Sequence, residues 1–244
     1  MPTPFQFIPI ENFPIEPTPR KKWNTKKQLK LPDENIGDDA HSEISYVGVS
    51  DYLDYHKYYV RHETLRETWI RIDNEDRKKV IFVEEFFVFT PPNLTYAIVK
   101  AKHKIANELF RRIHDKEKSF DYLLREVDLI GLKNDLHSQV RGGWFRDLEI
   151  EDVSTAAIFG ANVSDSDEWD KYANNGTLSS LVIEFSHRGE RHSVNVSLSG
   201  AITLYANYDD VYSLDLVEKF NRIVGKHQKD VFVKKNQKGS TKIG

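Results

Sequence analysis

Seven of the nine prolines, at positions 2, 4, 9, 14, 17, 19 and 32, crowd into the first stretch of the chain. Each fixes its backbone and removes an amide donor, so neither a continuous helix nor a regular central strand is expected there. The same stretch is too apolar for a solvated leader, because Phe5, Phe7, Ile8, Ile10, Phe13 and Ile15 are interleaved with the prolines. Each such side chain left in water forgoes about 1.5–3 kcal/mol of burial. The expectation is an extended N-terminal arm docked on its own core or on a neighbouring subunit, with Phe5, Phe7, Ile8, Ile10 and Phe13 as candidate protein-binding residues. A basic run with one aromatic follows (residues 20–27), then an acidic one (residues 33–43). Charge segregation of this kind predicts a solvated connector.

Beyond position 46 the pattern becomes regular. Residues 66–72 alternate, residues 73–76 are a polar turn, and residues 79–89 are rich in β-branched and aromatic side chains, which together predict a hairpin. A turn at Pro91 and Pro92 leads to a strand over 94–99. The helical spacing of Ala101, Ile105, Ala106, Leu109, Phe110 and Ile113 then predicts a helix. A second helix is expected from Ser119 to Gly131, on the face formed by Phe120, Leu123, Leu124, Val127 and Ile130. After a link at Gly142 and Gly143, residues 144–159 read as strand and 166–173 as a short acidic helix. Strands over 178–186, 192–198 and 202–206 and a helix over 215–224 complete the pattern.

The class is α+β, with antiparallel sheets covered by helices. The ββα order occurs twice, and both an internal duplication and convergence on one supersecondary unit account for it. The expected organisation is an arm and connector over 1–45, a first sheet and helix unit over 46–140, a second over 141–225, and a basic mobile tail over 226–244.

Without cysteine the chain can form no disulfide, thiolate zinc site or thiol nucleophile. It also contains no phosphate-binding glycine loop, nucleophile elbow or His-Glu-x-x-His motif. No cofactor is therefore expected, and the reading favours a non-catalytic protein. No apolar run approaches the length of a membrane span, so the expected setting is cytoplasmic.

Three chemistries have candidate residues. Glu184, His187 and His192 flank a predicted hairpin tip and could supply imidazole and carboxylate to a divalent metal, although a polar, solvated tip explains them as well. Asp147, Glu149 and Glu151 alternate with Leu148 and Ile150, so three carboxylates on one strand face could hold a divalent cation or serve proton transfer, although an exposed sheet face explains them as well. For nucleic acid, the basic arm residues Lys21, Lys22, Lys26 and Lys27 with Trp23, the helix face Lys100, Lys104 and Arg111, and Arg141 with Trp144 could neutralise phosphates and stack bases. The net charge of -3 opposes that reading. The preferred expectation is a binding protein, a subunit or modulator of a larger assembly, with a protein partner or a second copy. The nucleic-acid accessory protein and the metal-dependent hydrolase are the alternatives.

Overall fold

The chain's first regular element, β1 (Thr3–Glu11), lies in the middle of the sheet. The structure, a computed structural model, describes residues 2–14, 21–24, 40–72 and 75–231. A first half is built from β2 (Lys21–Asn24), β3 (His41–Val49), β4 (His56–Ile72), β5 (Glu75–Thr90), β6 (Tyr96–Val99) and helix α1 (His103–Lys116). Short strands β7 (Asp121–Tyr122) and β8 (Leu124–Val127) lead to α2 (Leu129–Asp135). The second half has β9 (Val140–Ile150), β10 (Val153–Phe159), α3 (Asp167–Asn175), β11 (Thr177–His187), β12 (Glu190–Ser197), β13 (Ile202–Leu204) and α4 (Asp210–Val224), closed by β14 (Gln228–Val231). The large sheet runs β10-β9-β11-β12-β13-β1-β6-β5-β4-β3-β2, with β7 also on β1, and its pairs are antiparallel. The α+β class with helices on an antiparallel sheet therefore holds.

The expected arm is instead the strand that joins the two halves. Thr3, Pro4 and Phe5 pair with β13, Gln6 to Pro9 with β6, and Ile10 and Glu11 with β7. The prolines are tolerated because β1 changes partners along its length. Beside Pro4 the β6 flank carries no strand, since β6 pairing starts at Gln6. Ile10 donates to the Thr95 carbonyl on the β6 side, so the backbone of Pro9 points the other way, where its carbonyl accepts from Leu123 at 3.0 Å. The missing N–H of Pro9 thus falls in the gap between β13 and β7. Alternation along β1 then sends Phe5 and Phe7 into one core and Ile8 and Ile10 into the other.

The two cores lie on opposite faces. One gathers Leu109, Phe110 and Ile113 of α1 against β1, β3, β4, β5 and β6. The other gathers Leu132 of α2, Trp169 of α3 and Leu214, Val217 and Phe220 of α4 against β9, β11, β12 and β13, and extends under Phe89 and Ile98 of the first half. The first half is therefore covered on both faces, and among the described residues the second half is covered on one.

Further expectations need correction. Residues 144–159 are not one strand but the end of β9 and all of β10, joined by a turn at 151–152. Residues 119–131 do not form one helix: Phe120, Tyr122 and Leu124 fall on one side with a period of two, facing the α1 core, and α2 starts only at Leu129 behind the Asp128 cap. The basic tail is not wholly free either, because β14 pairs with β8 from Gln228↔Val127 to Val231↔Leu124. The rest of that tail, residues 232–244, lies outside the described residues. No described helix is long and apolar enough to cross a membrane.

Candidate functional site

Two features stand out among the described residues because the cores do not absorb them. In the first, β4 and β5 are 17 and 16 residues long and stay paired from His56↔Thr90 to Ile72↔Glu75. Pairing of β3 with β4 stops at Ser42↔His62, and β6 reaches β5 only at Val88 and Phe89. Glu63 and Thr64 are still buried, but Leu65 and Val83 are each 44% exposed. Beyond them the hairpin projects as a two-stranded ribbon, about 25 Å long at the usual rise per residue. Among the described residues no third strand pairs with it.

The second feature is the open face of the second half, on the side of the sheet where α1 lies over the first. Direct cross-strand pairing puts Phe159, Gly142, Val182, Asn195, Thr203 and Pro4 in one row on this face. Ala157, Trp144, Ser180 and Ser197 form the next row. Apart from Val182, Pro4 and one aromatic pair, Trp144 and Phe159, whose rings meet edge to face at 4.8 Å, the floor is thus small and polar. Phe159 is 58% exposed. Gly142 permits this arrangement, since a Cβ there would come within 2.3 Å of the Phe159 ring. Its neighbour Gly143 does the same for the opposite face, where Trp169 would lie 2.8 Å from an added Cβ. The glycine pair expected to be a link is the middle of β9.

The expected arm contacts, Phe5, Phe7, Ile8, Ile10 and Phe13, are all buried within the chain. They are taken by its own cores and offer no partner-binding surface. Trp23 is likewise buried, since β2 pairs with β3 and turns it into the α1 core. Its Nε1 donates to Glu117 at 3.1 Å, and Lys21 reaches the same carboxylate at 2.6 Å. The Lys21 bond, helped by that of Trp23, holds the Glu117 carboxyl below its ordinary range against the opposing effect of burial. Lys22 is exposed, and Lys26 and Lys27 lie outside the described residues. Lys100 is engaged by Asp210 at 3.0 Å, together with Lys57 at 2.6 Å. Lys104 and Arg111 are exposed on α1. Arg141 reaches Glu184 at 3.3 Å, and Trp144 lies on the open face. Of the described basic candidates, Lys21, Lys100 and Arg141 are thus engaged by carboxylates of the chain itself.

The expected metal ligands separate for a simple reason. Glu184 differs in strand parity from His187, so it lies on the opposite face of β11, bonded to Arg141, while His187 and His192 face the α4 core. His187 Nε2 meets Asp215 at 2.8 Å, and His192 is held by the hydroxyls of Tyr208 at 2.9 Å and Tyr212 at 3.1 Å. Among the described residues no group of three or more His, Asp or Glu is placed to hold a metal ion. Asp147, Glu149 and Glu151 are exposed and Leu148 is buried, but the three acids do not share one regular strand face: Asp147 has φ 54° within the β9 irregularity and Glu151 lies in the β9–β10 turn.

Sequence reasoning missed a cluster that ties the halves together. Tyr52 and Tyr55, in the β3–β4 turn, and Tyr96 on β6 all donate to the carboxylate of Glu218 on α4. Burial drives this carboxyl upward, but the bonds from Tyr55, Tyr96 and Tyr52 outweigh it and the group stays below its ordinary range. The tyrosines move the other way: burial and the Glu218 bond raise all three, Tyr96 to about 12. Every polar atom on Glu218 is thus satisfied from within, as in a structural lock. The run of tyrosines at 46, 52, 55, 58 and 59 was the sequence signal. A crevice of about 520 Å³ between α2 and α3 is lined mainly by Val127, Leu129, Trp169, Leu178 and Leu198, with Lys133 and Lys229 at its margin. Its lining contains no histidine.

Comparison of the chain with known protein-family models and with curated proteins finds no match.

Proposed function

We propose that this is a non-catalytic binding protein, a subunit or modulator of a larger protein assembly in the cytoplasm, and that the β4–β5 hairpin is its reaching element. The observation that carries this reading is the unsupported length of that ribbon. A lone two-stranded hairpin is marginal in water, so a chain that builds one gains most when a partner covers it. Its composition favours protein over nucleic acid. Between positions 65 and 83 five cations (Arg66, Arg71, Arg77, Lys78, Lys79) stand beside four acids (Glu67, Asp73, Glu75, Asp76), with Trp69, Ile70, Ile72, Ile81 and Phe82 among them. A ribbon made to follow phosphates would carry a clear positive excess.

The test is a trimmed chain. Arg66 and Val80 are cross-strand partners, so Asn-Gly in place of residues 67–79 closes a two-residue turn. The trimmed protein should fold with nearly unchanged thermal stability and lose whatever protein co-purifies with the full chain. A trimmed chain that keeps its partner would refute this role.

A second reading, nucleic-acid binding, is favoured by Trp144 and Phe159 on the open sheet face, since exposed aromatics on a sheet can stack bases. It predicts salt-dependent retention of single-stranded DNA or RNA that Trp144→Ala abolishes. We also read the two meander-and-helix units, residues 56–116 and 177–224, as repeats related by a half-turn about β1. That operation carries α1 on one face of the sheet to α4 on the other. A superposition leaving the helices unmatched would reject it.

A further inference from the structure

The crevice between α2 and α3 has an apolar floor and a charged mouth. Val127 of β8, Leu129 of α2, Trp169 of α3 and Leu178 of β11 line it, and each is buried, so four elements contribute to the floor. Its volume of about 520 Å³ lies within the roughly 300–1,000 Å³ of small-molecule sites. Ile130 stands on its lip, 64% exposed.

The charges around the mouth are unequally answered. Lys229 of β14 is the cross-strand partner of Glu126, and its charge also bears on Asp128, whose carboxylate caps α2 by accepting from the Gly131 amide at 3.0 Å. Lys133 is different. It is half-buried, its ammonium lies 5.6 Å over the Trp169 ring, and among the described residues no carboxylate comes within ion-pair distance of it, Asp170 on the α3 wall included. An aromatic face attracts a cation without neutralising it. A half-buried ammonium without a counter-ion therefore attracts an incoming anion more strongly than one in open water does.

We propose that this crevice binds a small hydrophobic monocarboxylate, with its head on Lys133 and its apolar body against Val127, Leu129, Trp169 and Leu178. The floor rewards the body by taking apolar surface out of water, and the unanswered ammonium selects the head. A single negative charge is what the mouth admits, because Glu126, Asp128 and Asp170 also line it and repel a phosphate dianion or a nucleic-acid backbone. A neutral apolar molecule would leave Lys133 unpaired, and a cation would be repelled by it. The crevice plays no part in the hairpin reading, which concerns a protein partner.

Calorimetric titration of the full chain with sodium octanoate is the test. The native protein should bind a single octanoate with a Kd below about 1 mM, and octanol about tenfold more weakly, since the alcohol keeps the body and lacks the charge. Lys133→Gln should weaken octanoate binding about tenfold and leave octanol unchanged, whereas Lys133→Arg should keep the preference for the acid and Lys229→Gln should change little. Ala173→Trp, which fills the mouth from an exposed position on α3, should abolish binding of both. The protein with the trimmed hairpin should bind octanoate as the native chain does, so this site and the assembly role can fail separately. No saturable binding of octanoate, equal affinity for acid and alcohol, or a folded Lys133→Gln protein that binds octanoate as the native one does would overturn the proposal. So would tighter binding of N-acetyl-leucyl-leucine, which would give the site to a peptide C-terminus. Should Lys133→Gln fail to fold, the comparison of acid with alcohol on the native chain decides.

Discussion

Tyr52 donates a 2.7 Å hydrogen bond to Glu218, joining the β3–β4 turn to the last helix across most of the chain. Tyr55 and Tyr96 donate to the same carboxylate, so α4 is fastened to strands of the first half by one buried anion. Glu218→Ala should therefore cost about 3 kcal/mol or more, because three buried hydroxyls lose their acceptor. Glu218→Gln should cost less, and chemical denaturation of the two variants checks the order.

The same cluster gives pH limits at both ends. A carboxyl held below its unfolded value adds stability above that value and loses it as pH falls through the folded one, so acid should weaken the lock below about pH 4.5. Tyrosines raised above 10 add stability that is complete below pH 10 and is lost as pH climbs toward 12 and beyond. Glu218→Ala should flatten the melting temperature in both ranges.

A third pH effect comes from His62, which is fully buried against Ser42 at 2.7 Å with Arg112 bonded to the same hydroxyl at 2.8 Å. Burial, reinforced by the Arg112 charge, depresses this imidazole to about 3. The unfolded chain takes up a proton near 6.5 and the folded one does not, so stability should fall as pH drops from 6.5 toward 3. His62→Gln should reduce that slope, as thermal melts between pH 4 and 7 would record.

The glycine pair of β9 makes a contrast. Gly143→Ala drives a methyl group against the buried Trp169 ring and should destabilise the protein by about 1–3 kcal/mol. Gly142→Ala meets the exposed Phe159 ring and also the Ile158 backbone carbonyl at 2.8 Å, so it should displace that ring from Trp144 and strain the β9–β10 pairing. Tryptophan fluorescence and urea unfolding separate the two.

β1 belongs to both cores, so Phe5→Ala should cost about 3–5 kcal/mol, and removal of residues 1–11 should abolish cooperative unfolding. The apolar pattern of this segment was legible, and so was its need to be docked. Its strand character is hidden because proline excludes a strand only where the flank on its N–H side is paired. Neither flank of β1 is paired throughout, and that depends on where distant strands end. Residues 120–130 show the same limit: Phe120, Leu123, Leu124, Val127 and Ile130 suit a helix face whereas Phe120, Tyr122 and Leu124 suit a strand, and only the core on one side decides. Strands β4, β5, β11, β12 and β13 and helices α1 and α3 were readable from local period and turn residues. Trp23 could not be told from a stacking residue, because its burial depends on pairing with β3. The metal candidates could have been separated from sequence, since strand parity alone puts Glu184 opposite His187.

Backbone hydrogen exchange across the hairpin tests the assembly role most directly. In the isolated chain the amides of residues 65–72 and 75–83 should exchange far faster than those of β11 and β12, and in the complex that co-purifies with the full chain they should become protected. Equal protection of the hairpin in both states would contradict the account.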